Sequence, residues 1–405
     1  MKNKICLISD HHLCINPRLW KEAFVYEKMG FEVLILTKWQ SKEHKQRDLE
    51  LLRGHSISYL CFLNITPGEI AEWKRFYFRA RKRIASELQR YFKIGSSWAI
   101  NHAPNLLYKC ALRCNADFYS AHLESGFYAG RKLVRAGKKV SFDFEDWYSN
   151  DYLTSDRAIG LLKKLEFFAS FNGTFCTAAS ESMATALQKE YGCTSIPLTI
   201  YNSFPGNQVW NCLDKSKNTD DRFKFVWTSR TIGPKRGLES FIKVAAKVHL
   251  PFELHLIGDC SADYRSFLEK EFPYSVGHKL VFHAFMSHEE LQQFLPKFDA
   301  GLAIELSQPE SRNVTITNKI LQYIQSGLQV LATDTIGQIE LSNHFSSVVL
   351  ISNSDLGSWS KSIEEIIKSK REFNNGLQKL IYDKYFSWAK QEEKLENLIR
   401  KTYDK

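Results

Sequence analysis

Two arginines six residues apart, Arg230 and Arg236, flank a turn-forming stretch in the segment Thr228-Ser229-Arg230-Thr231-Ile232-Gly233-Pro234-Lys235-Arg236-Gly237-Leu238-Glu239. An apolar run, Phe223 to Trp227, precedes this segment and a helical pattern follows it, so it reads as strand, loop and helix. Backbone N–H groups at a helix N-terminus bind phosphate oxygens, Gly233 and Gly237 permit close backbone approach, and two guanidinium forks can converge on a diphosphate. An ordinary strand-to-helix turn with solvated cations has the same pattern, so a second segment has to support the reading. That segment is Asn318 to Asp334, a helix closed by Gly327 in the C′ position and followed by a buried strand. Its start, with Asn318, Lys319 and Gln322, lies toward the carboxyl ends of the strands, where open parallel sheets bind ligands.

Chemistry-bearing residues in the amino-terminal half are fewer. His122 ends an apolar strand pattern and, taken alone, reads as a core or capping histidine. His11 and His12 follow the first strand and either line a cleft or are polar loop residues. Asp143-Phe144-Glu145-Asp146 is either a solvated loop or part of a site. It is not read as an Asp-x-Asp metal motif, because Arg230 and Arg236 already offset a diphosphate's charge. Nine cysteines run from Cys6 to Cys260 without paired CxxC knuckles; Cys110 and Cys114 share a helix face, but no second pair completes a site. Reduced thiols and no structural metal are expected.

The elements that must position these residues alternate along the chain. Strand patterns at Lys4 to Ser9, Glu32 to Thr37, Ile57 to Phe62, Phe118 to Ala121, Lys139 to Phe144, Gly173 to Thr177 and Pro197 to Tyr201 are separated by helical stretches. A polar, turn-rich lapse between Phe204 and Arg222 marks a domain boundary. A second series follows at Phe223 to Thr228, Phe252 to Ile257, Lys279 to His283, Ala300 to Glu305, Gln329 to Ala332 and Ser347 to Ile351. With 405 residues, 44% hydrophobic and 25% charged, the chain can fill two cores. No stretch approaches the roughly 20 apolar residues of a membrane span, and no cleavable leader pattern opens the chain, so a cytoplasmic location is expected. The net charge of +10 points to an anionic partner. Residues 70–92 break the rhythm as a basic, aromatic-rich helix, suited either to an anionic membrane surface or to solvent with its aromatic face buried.

The donor-side segments resemble glycosyltransferase family 4, the retaining group 1 enzymes, and the likeness extends over nearly the whole chain. Asn16-Pro17-Arg18 before a helix resembles the family's acceptor-side loop, Ala121-His122-Leu123-Glu124 its active-site histidine segment, and Asp143 to Asp146 its Asp-x-Glu element. Ser180-Glu181-Ser182, Tyr201-Asn202 and Phe386-Ser387-Trp388 resemble the end of its first domain and the start of its last helix. The resemblance implies an α/β protein of two Rossmann-like doubly wound domains facing across a cleft, the GT-B fold. The acceptor-binding domain would span 1–207, the donor-binding domain 222–384, and a carboxyl-terminal helix, 385–405, would cross back to the first.

It further implies transfer of a sugar from a nucleotide-diphosphate sugar to a hydroxyl of a glycan or lipid-linked acceptor, with retention, no metal and no cofactor, in surface polysaccharide synthesis. Arg230, Arg236 and Lys319 would bind the donor diphosphate, Gln322, Asn318 and Glu305 its ribose and sugar, and His122 would contact the transferred sugar. His11, Asn16, Arg18 and Glu145 would line the acceptor side. Two glutamates eight positions apart are usual in the family; here those positions are Val314 and Gln322, and Glu305 or Glu310 is the candidate replacement for the first. That departure leaves room for two other readings, a nucleotide-sugar 2-epimerase of the same fold or a non-catalytic membrane-associated scaffold. No nucleic-acid-binding motif is present.

Overall fold

A computed structural model describes residues 3–151, 157–205, 222–369 and 375–403. The chain forms two compact units, one made of Met1–Tyr201, Pro309–Ser311 and Glu392–Lys405, the other of Asn202–Gln308 and Arg312–Gln391. Most of the expected linker, residues 206–221, lies outside the described residues.

The first unit is built on seven parallel strands in the order β3-β2-β1-β4-β5-β6-β7: β1 Lys4–Ile8, β2 Glu32–Trp39, β3 Ser58–Asn64, β4 Phe118–His122, β5 Lys139–Phe144, β6 Cys176–Ala178 and β7 Leu198–Thr199. The second has six, in the order β10-β9-β8-β11-β12-β13: β8 Phe223–Ile232, β9 Phe252–Cys260, β10 Lys279–His283, β11 Ala300–Ala303, β12 Gln329–Thr333 and β13 Val348–Ile351. Strands buried on both faces read as unbroken apolar runs, which is why Cys6, Leu7 and Ile8 of β1 and all of β11 are buried. In each sheet the order reverses beside the first strand of the unit, between β1 and β4 and between β8 and β11. Open α/β sheets bind ligands at the carboxyl ends of the strands flanking such a reversal.

Helix starts follow local chemistry. The helix Pro17–Lys28 opens with Pro at N1 and is capped by the Asn16 side chain, which accepts from the Leu19 N–H. Ser287 and Glu290 form a capping box at His288–Phe294. Two boundaries differ from the sequence expectation. Residues 202–205 belong to the second unit, where Phe204 stacks on His288 at 3.8 Å and its carbonyl accepts from Gln325. Residues 385–391 also belong there, because Phe386 packs on Phe345 and His344 and its carbonyl accepts from Ser203. Only the later part of the last helix, Trp388–Tyr403, joins the first unit, through Lys28 with Glu392 and Lys139 with the Thr402 carbonyl.

The strand β8 is also longer than expected. Pairing with β9 shifts register between Thr228 and Thr231 and then resumes, so Arg230 sits on a bulged strand and not in a loop. Gly258 makes this possible: its φ is +146°, and a Cβ there would lie 2.0 Å from the Ser229 carbonyl oxygen.

The helix Asn318–Gln325, which carries three site candidates, is fixed by Tyr323. This side chain is fully buried, its hydroxyl accepts from the Thr228 N–H at 2.9 Å, and its ring lies against Gly301. A Cβ at Gly301 would come within 2.3 Å of the ring, so Gly301→Ala overpacks this contact. We expect it to destabilise the second unit by roughly 1–3 kcal/mol, lowering the thermal midpoint about 2–4 °C per kcal/mol. An unchanged melting curve would show that the helix is not held there.

Candidate functional site

At the carboxyl end of β8 the bulge leaves Arg230 exposed. Arg236, also exposed, turns back so that its guanidinium donates to Ser229 Oγ at 2.8 Å, beside Arg230. The turn is fixed by Lys235 and Gly237, at φ +62° and +86°; a Cβ on Gly237 would lie 2.3 Å from the Ile304 carbonyl. Gly233 has neither constraint: a Cβ there would meet nothing within 4 Å, so its surface is open to a ligand. A third cation joins from elsewhere in the chain: Arg312 donates to the Lys235 carbonyl at 3.4 Å. Nothing in the local sequence pattern singled out Arg312. The end of β8 and the turn after it thus carry two exposed guanidinium groups, with half-buried Arg312 bonded to the backbone of the same turn, groups of the kind that pair with a diphosphate.

Below them, Lys319 pairs with Glu305 at 2.6 Å, both 13% exposed, and Thr317 donates to the same carboxylate. Burial raises the Glu305 carboxyl, but Lys319 outweighs it and holds the group below its ordinary range. The ammonium of Lys319 also lies 5.0 Å from the Trp227 ring. Lys319 is therefore matched to a protein carboxylate, a partner its expected role as an auxiliary phosphate contact did not include. Gln322 bonds His288 Nδ1 through its amide nitrogen at 3.0 Å. That bond uses one amide hydrogen, so the second amide hydrogen and the carbonyl oxygen are the groups left for a ligand. Asn318 is half-buried at the start of the helix, Val314 is buried, and Glu310 begins the short helix Glu310–Val314. His288 and Phe204 were missed because the bond of His288 to Gln322 and its stack on Phe204 are visible only in three dimensions.

The candidates of the first unit meet in an enclosed chain of charges. His122 places Nε2 2.8 Å from Glu22 and Nδ1 3.3 Å from Asp143, and is 1% exposed. Arg18 grips Asp143 with two nitrogens, at 2.8 and 2.5 Å, and donates to the Ile200 carbonyl. Thr177 adds a hydrogen bond to Asp143, and Ser120 and Tyr26 donate to Glu22. Burial pushes the imidazole toward neutrality, yet Glu22 and Asp143 together raise it to about 10. Burial likewise opposes the charge of Asp143, but Arg18 and His122 hold that carboxyl far below its usual range.

His122, expected to contact the transferred sugar or the donor phosphate, thus has both ring nitrogens directed at protein carboxylates. Of the expected acceptor-side residues, Asn16 caps a helix and Arg18 clamps Asp143, and both are buried. His12 is fully enclosed, accepting from the Gln40 and Ser41 N–H groups at Nε2 and donating to Asp48 from Nδ1. His11 is exposed after β1, and Glu145 is half-buried after β5, where burial and Asp146 raise its carboxyl to about 7. The residue after His122, Leu123, has φ +62°, an uncommon conformation for a bulky side chain, and Glu124 after it pairs with Arg157. Among the described residues no group of three His, Cys, Asp or Glu is placed to hold a metal ion, and eight cysteines are free thiols.

Residues 222–369, most of the second unit, match the family model described as glycosyl transferases group 1. With that match on a doubly wound unit bearing these cations, the second unit is a group 1 glycosyltransferase domain and the chain is a glycosyltransferase. Its fold is GT-B. HepE (Alr3699) of Anabaena, in complex with UDP and glucose, superposes with a TM-score of 0.67 at 15% identity, covering 98% of this chain and 100% of that one. The lipopolysaccharide outer core galactosyltransferase WaaB gives 0.60 at 11%, covering 99% of each. TarM gives 0.66 at 11%, covering 98% of each. At such identities these likenesses establish the fold alone. No curated protein sequence matches the chain.

The charge chain makes a pH prediction. The folded His122 keeps its proton up to about 10 against an ordinary 6.5. Its stabilising contribution is therefore complete below about pH 6.5 and is lost as pH rises through 10. Thermal midpoints of the wild type should fall across that window more steeply than those of His122→Ala. At neutral pH the variant should be destabilised by roughly 3–5 kcal/mol, the usual consequence of removing one member of a buried ion pair. Parallel pH profiles for the two proteins would refute a charged His122.

Proposed function

We propose that this protein transfers a sugar, with retention, from a nucleoside-diphosphate sugar to an acceptor hydroxyl, and that it works without a metal at the cytoplasmic side of the membrane. The carrying observation is that Arg230 and Arg236 stand exposed at the carboxyl end of β8 and in the turn after it, with Arg312 bonded to that turn, at the strand-order reversal of a group 1 glycosyltransferase domain. The complexes of HepE with UDP and with UDP-glucose support a nucleotide donor for the shared fold.

The chemistry follows from charge. Breaking the bond from the anomeric carbon to the phosphate oxygen gives the sugar oxocarbenium character and leaves the electron pair on the departing diphosphate. Guanidinium groups already fixed at that position stabilise the developing charge more than the ground state, and so lower the barrier. The acceptor hydroxyl adds to the anomeric carbon on the face the diphosphate leaves, and its proton passes to the leaving phosphate oxygen. No enzyme nucleophile is required. The matched pair of Lys319 and Glu305 adds no net charge, so the arginines carry the electrostatic effect. Glu305, held ionised and oriented by Lys319 and Thr317, is the acceptor for a donor hydroxyl.

Calorimetric titration with UDP, GDP, ADP and CMP and their common sugar conjugates tests this reading. One nucleotide should bind the wild type, and Arg236→Ala should weaken it; in turnover, loss of one such cation should cost about 10²–10³ in rate. A nucleotide that binds both proteins equally would place the diphosphate elsewhere. Release of an isomerised free nucleotide sugar would favour the 2-epimerase reading.

A further inference from the structure

Cys110 and Cys114, four residues apart, lie on one face of the helix Pro104–Arg113 and its C-cap, and sugar transfer gives neither a role. The fold adds two thiols that their spacing did not show. Cys61 of β3 is within electrostatic reach of Cys110, and Cys6 of β1 shares a hydrogen bond with Cys114. The four do not form a metal site. With β2 between β1 and β3, the backbones at Cys6 and Cys61 are at least about 10 Å apart. Among the described residues no three His, Cys, Asp or Glu side chains are placed to hold a metal ion. What remains is one pair of thiols in direct contact, Cys6 and Cys114.

Backbone geometry holds this pair. Asn115, at φ +45°, ends the helix in the left-handed conformation that asparagine tolerates, and the chain turns toward β4. Asp117 and Lys4 then exchange two hydrogen bonds: the Lys4 N–H donates to the Asp117 carboxylate at 2.7 Å, and the Asp117 N–H to the Lys4 carbonyl at 2.9 Å. Cys6 is two residues beyond Lys4, so both side chains leave the same face of β1. The Lys4 ammonium, paired with Glu32 at 3.1 Å, acts on both thiols. Cys6 is fully buried and Cys114 half-buried, so only the second meets solvent.

The two sulfurs are unequal. The hydrogen bond from Cys6, with the Lys4 charge and against the cost of burial, lowers the Cys114 thiol to about 7. The same bond and burial push the Cys6 thiol well above its ordinary value. The proton therefore stays on Cys6, which donates, and Cys114 is the group that ionises. While it is protonated, Cys114 donates to the Cys110 carbonyl at 3.2 Å. Burial instead raises the thiols of Cys61, Cys110, Cys176 and Cys260, so Cys114 is the nucleophile among these five.

We propose that Cys114 and Cys6 are a peroxide-reactive dithiol, closed to a disulfide by oxidation and reopened by a thiol reductant. The Cys114 thiolate attacks one oxygen of hydrogen peroxide, the O–O bond breaks, hydroxide leaves, and Cys114 becomes a sulfenic acid. The Cys6 sulfur then attacks the sulfenic sulfur, and the oxygen departs as water with the Cys6 proton. The two sulfurs together lose the two electrons that the peroxide gains. Exposure sets the order, since the half-buried sulfur meets the oxidant and the enclosed one resolves the product. The bond joins β1 to the segment that enters β4, the two strands flanking the reversal of the first sheet. This site lies apart from the sugar-transfer reading and does not depend on it.

The test treats the reduced protein with hydrogen peroxide, blocks the remaining thiols with N-ethylmaleimide, and maps peptides by mass spectrometry with and without dithiothreitol. The expected product is a peptide pair joined through Cys6 and Cys114 and released by dithiothreitol. Peroxide should consume Cys114 at least about tenfold faster than Cys61, Cys110 or Cys260. In Cys6→Ala the reaction should stop at a Cys114 sulfenic acid that dimedone traps, whereas Cys110→Ser should cross-link as the wild type does. A wild-type map in which other cysteines are oxidised and the Cys6–Cys114 pair is absent overturns the proposal. So does a bond between Cys110 and Cys114 in its place, or a Cys114 consumed no faster than the others. These outcomes are read on the unaltered chain, so a variant that fails to fold cannot mask them.

Discussion

A protonated imidazole enclosed between two carboxylates holds the carboxyl edge of the first sheet together. His122 ends β4, Glu22 comes from the helix behind it, and Asp143 belongs to the neighbouring strand β5. Arg18 extends the chain to the Ile200 carbonyl, just beyond β7. Each member compensates the charge of the next in surroundings that water does not reach, so none can be neutralised without stranding its neighbour. The backbone around β4 is fixed as a result. Leu123 can then hold a conformation that a bulky residue rarely adopts, and Glu124 beyond it pairs with Arg157.

The second unit solves its positioning problem with backbone geometry. An extra residue in β8, admitted by Gly258, turns Arg230 outward, and the strained Lys235-Arg236-Gly237 turn folds a second arginine back beside it. Arg230 and Arg236 there are exposed, whereas the ionised groups of the His122 charge chain are matched among themselves. Exposed guanidinium groups keep their hydration until a ligand displaces it, and so the unit carries little electrostatic penalty while empty.

Much of the fold was legible because parallel strands buried on both faces appear in sequence as apolar runs separated by helical periods. The spans of β5 and β10 agree with the expected Lys139 to Phe144 and Lys279 to His283 to the residue. Where reading failed, the deciding atoms were distant in sequence. Whether Arg230 lies in a loop or on a strand depends on Gly258; whether Lys319 meets a ligand or Glu305, and Gln322 a ribose or His288, depends on side chains from other elements. Motifs identify the residue types that chemistry requires. They do not show what those residues already touch, and for His122, Asn16 and Arg18 those contacts are with the protein itself.

Both sheets share one strand order, with a single reversal beside the first strand of each. Two halves of like topology therefore carry unlike surfaces, one with an open cationic rim and the other with an inward-compensated edge. The residues that define each surface come almost entirely from their own half. One strand order can therefore carry either kind of edge, and the side chains at the carboxyl ends of its strands, more than the backbone that holds them, decide which.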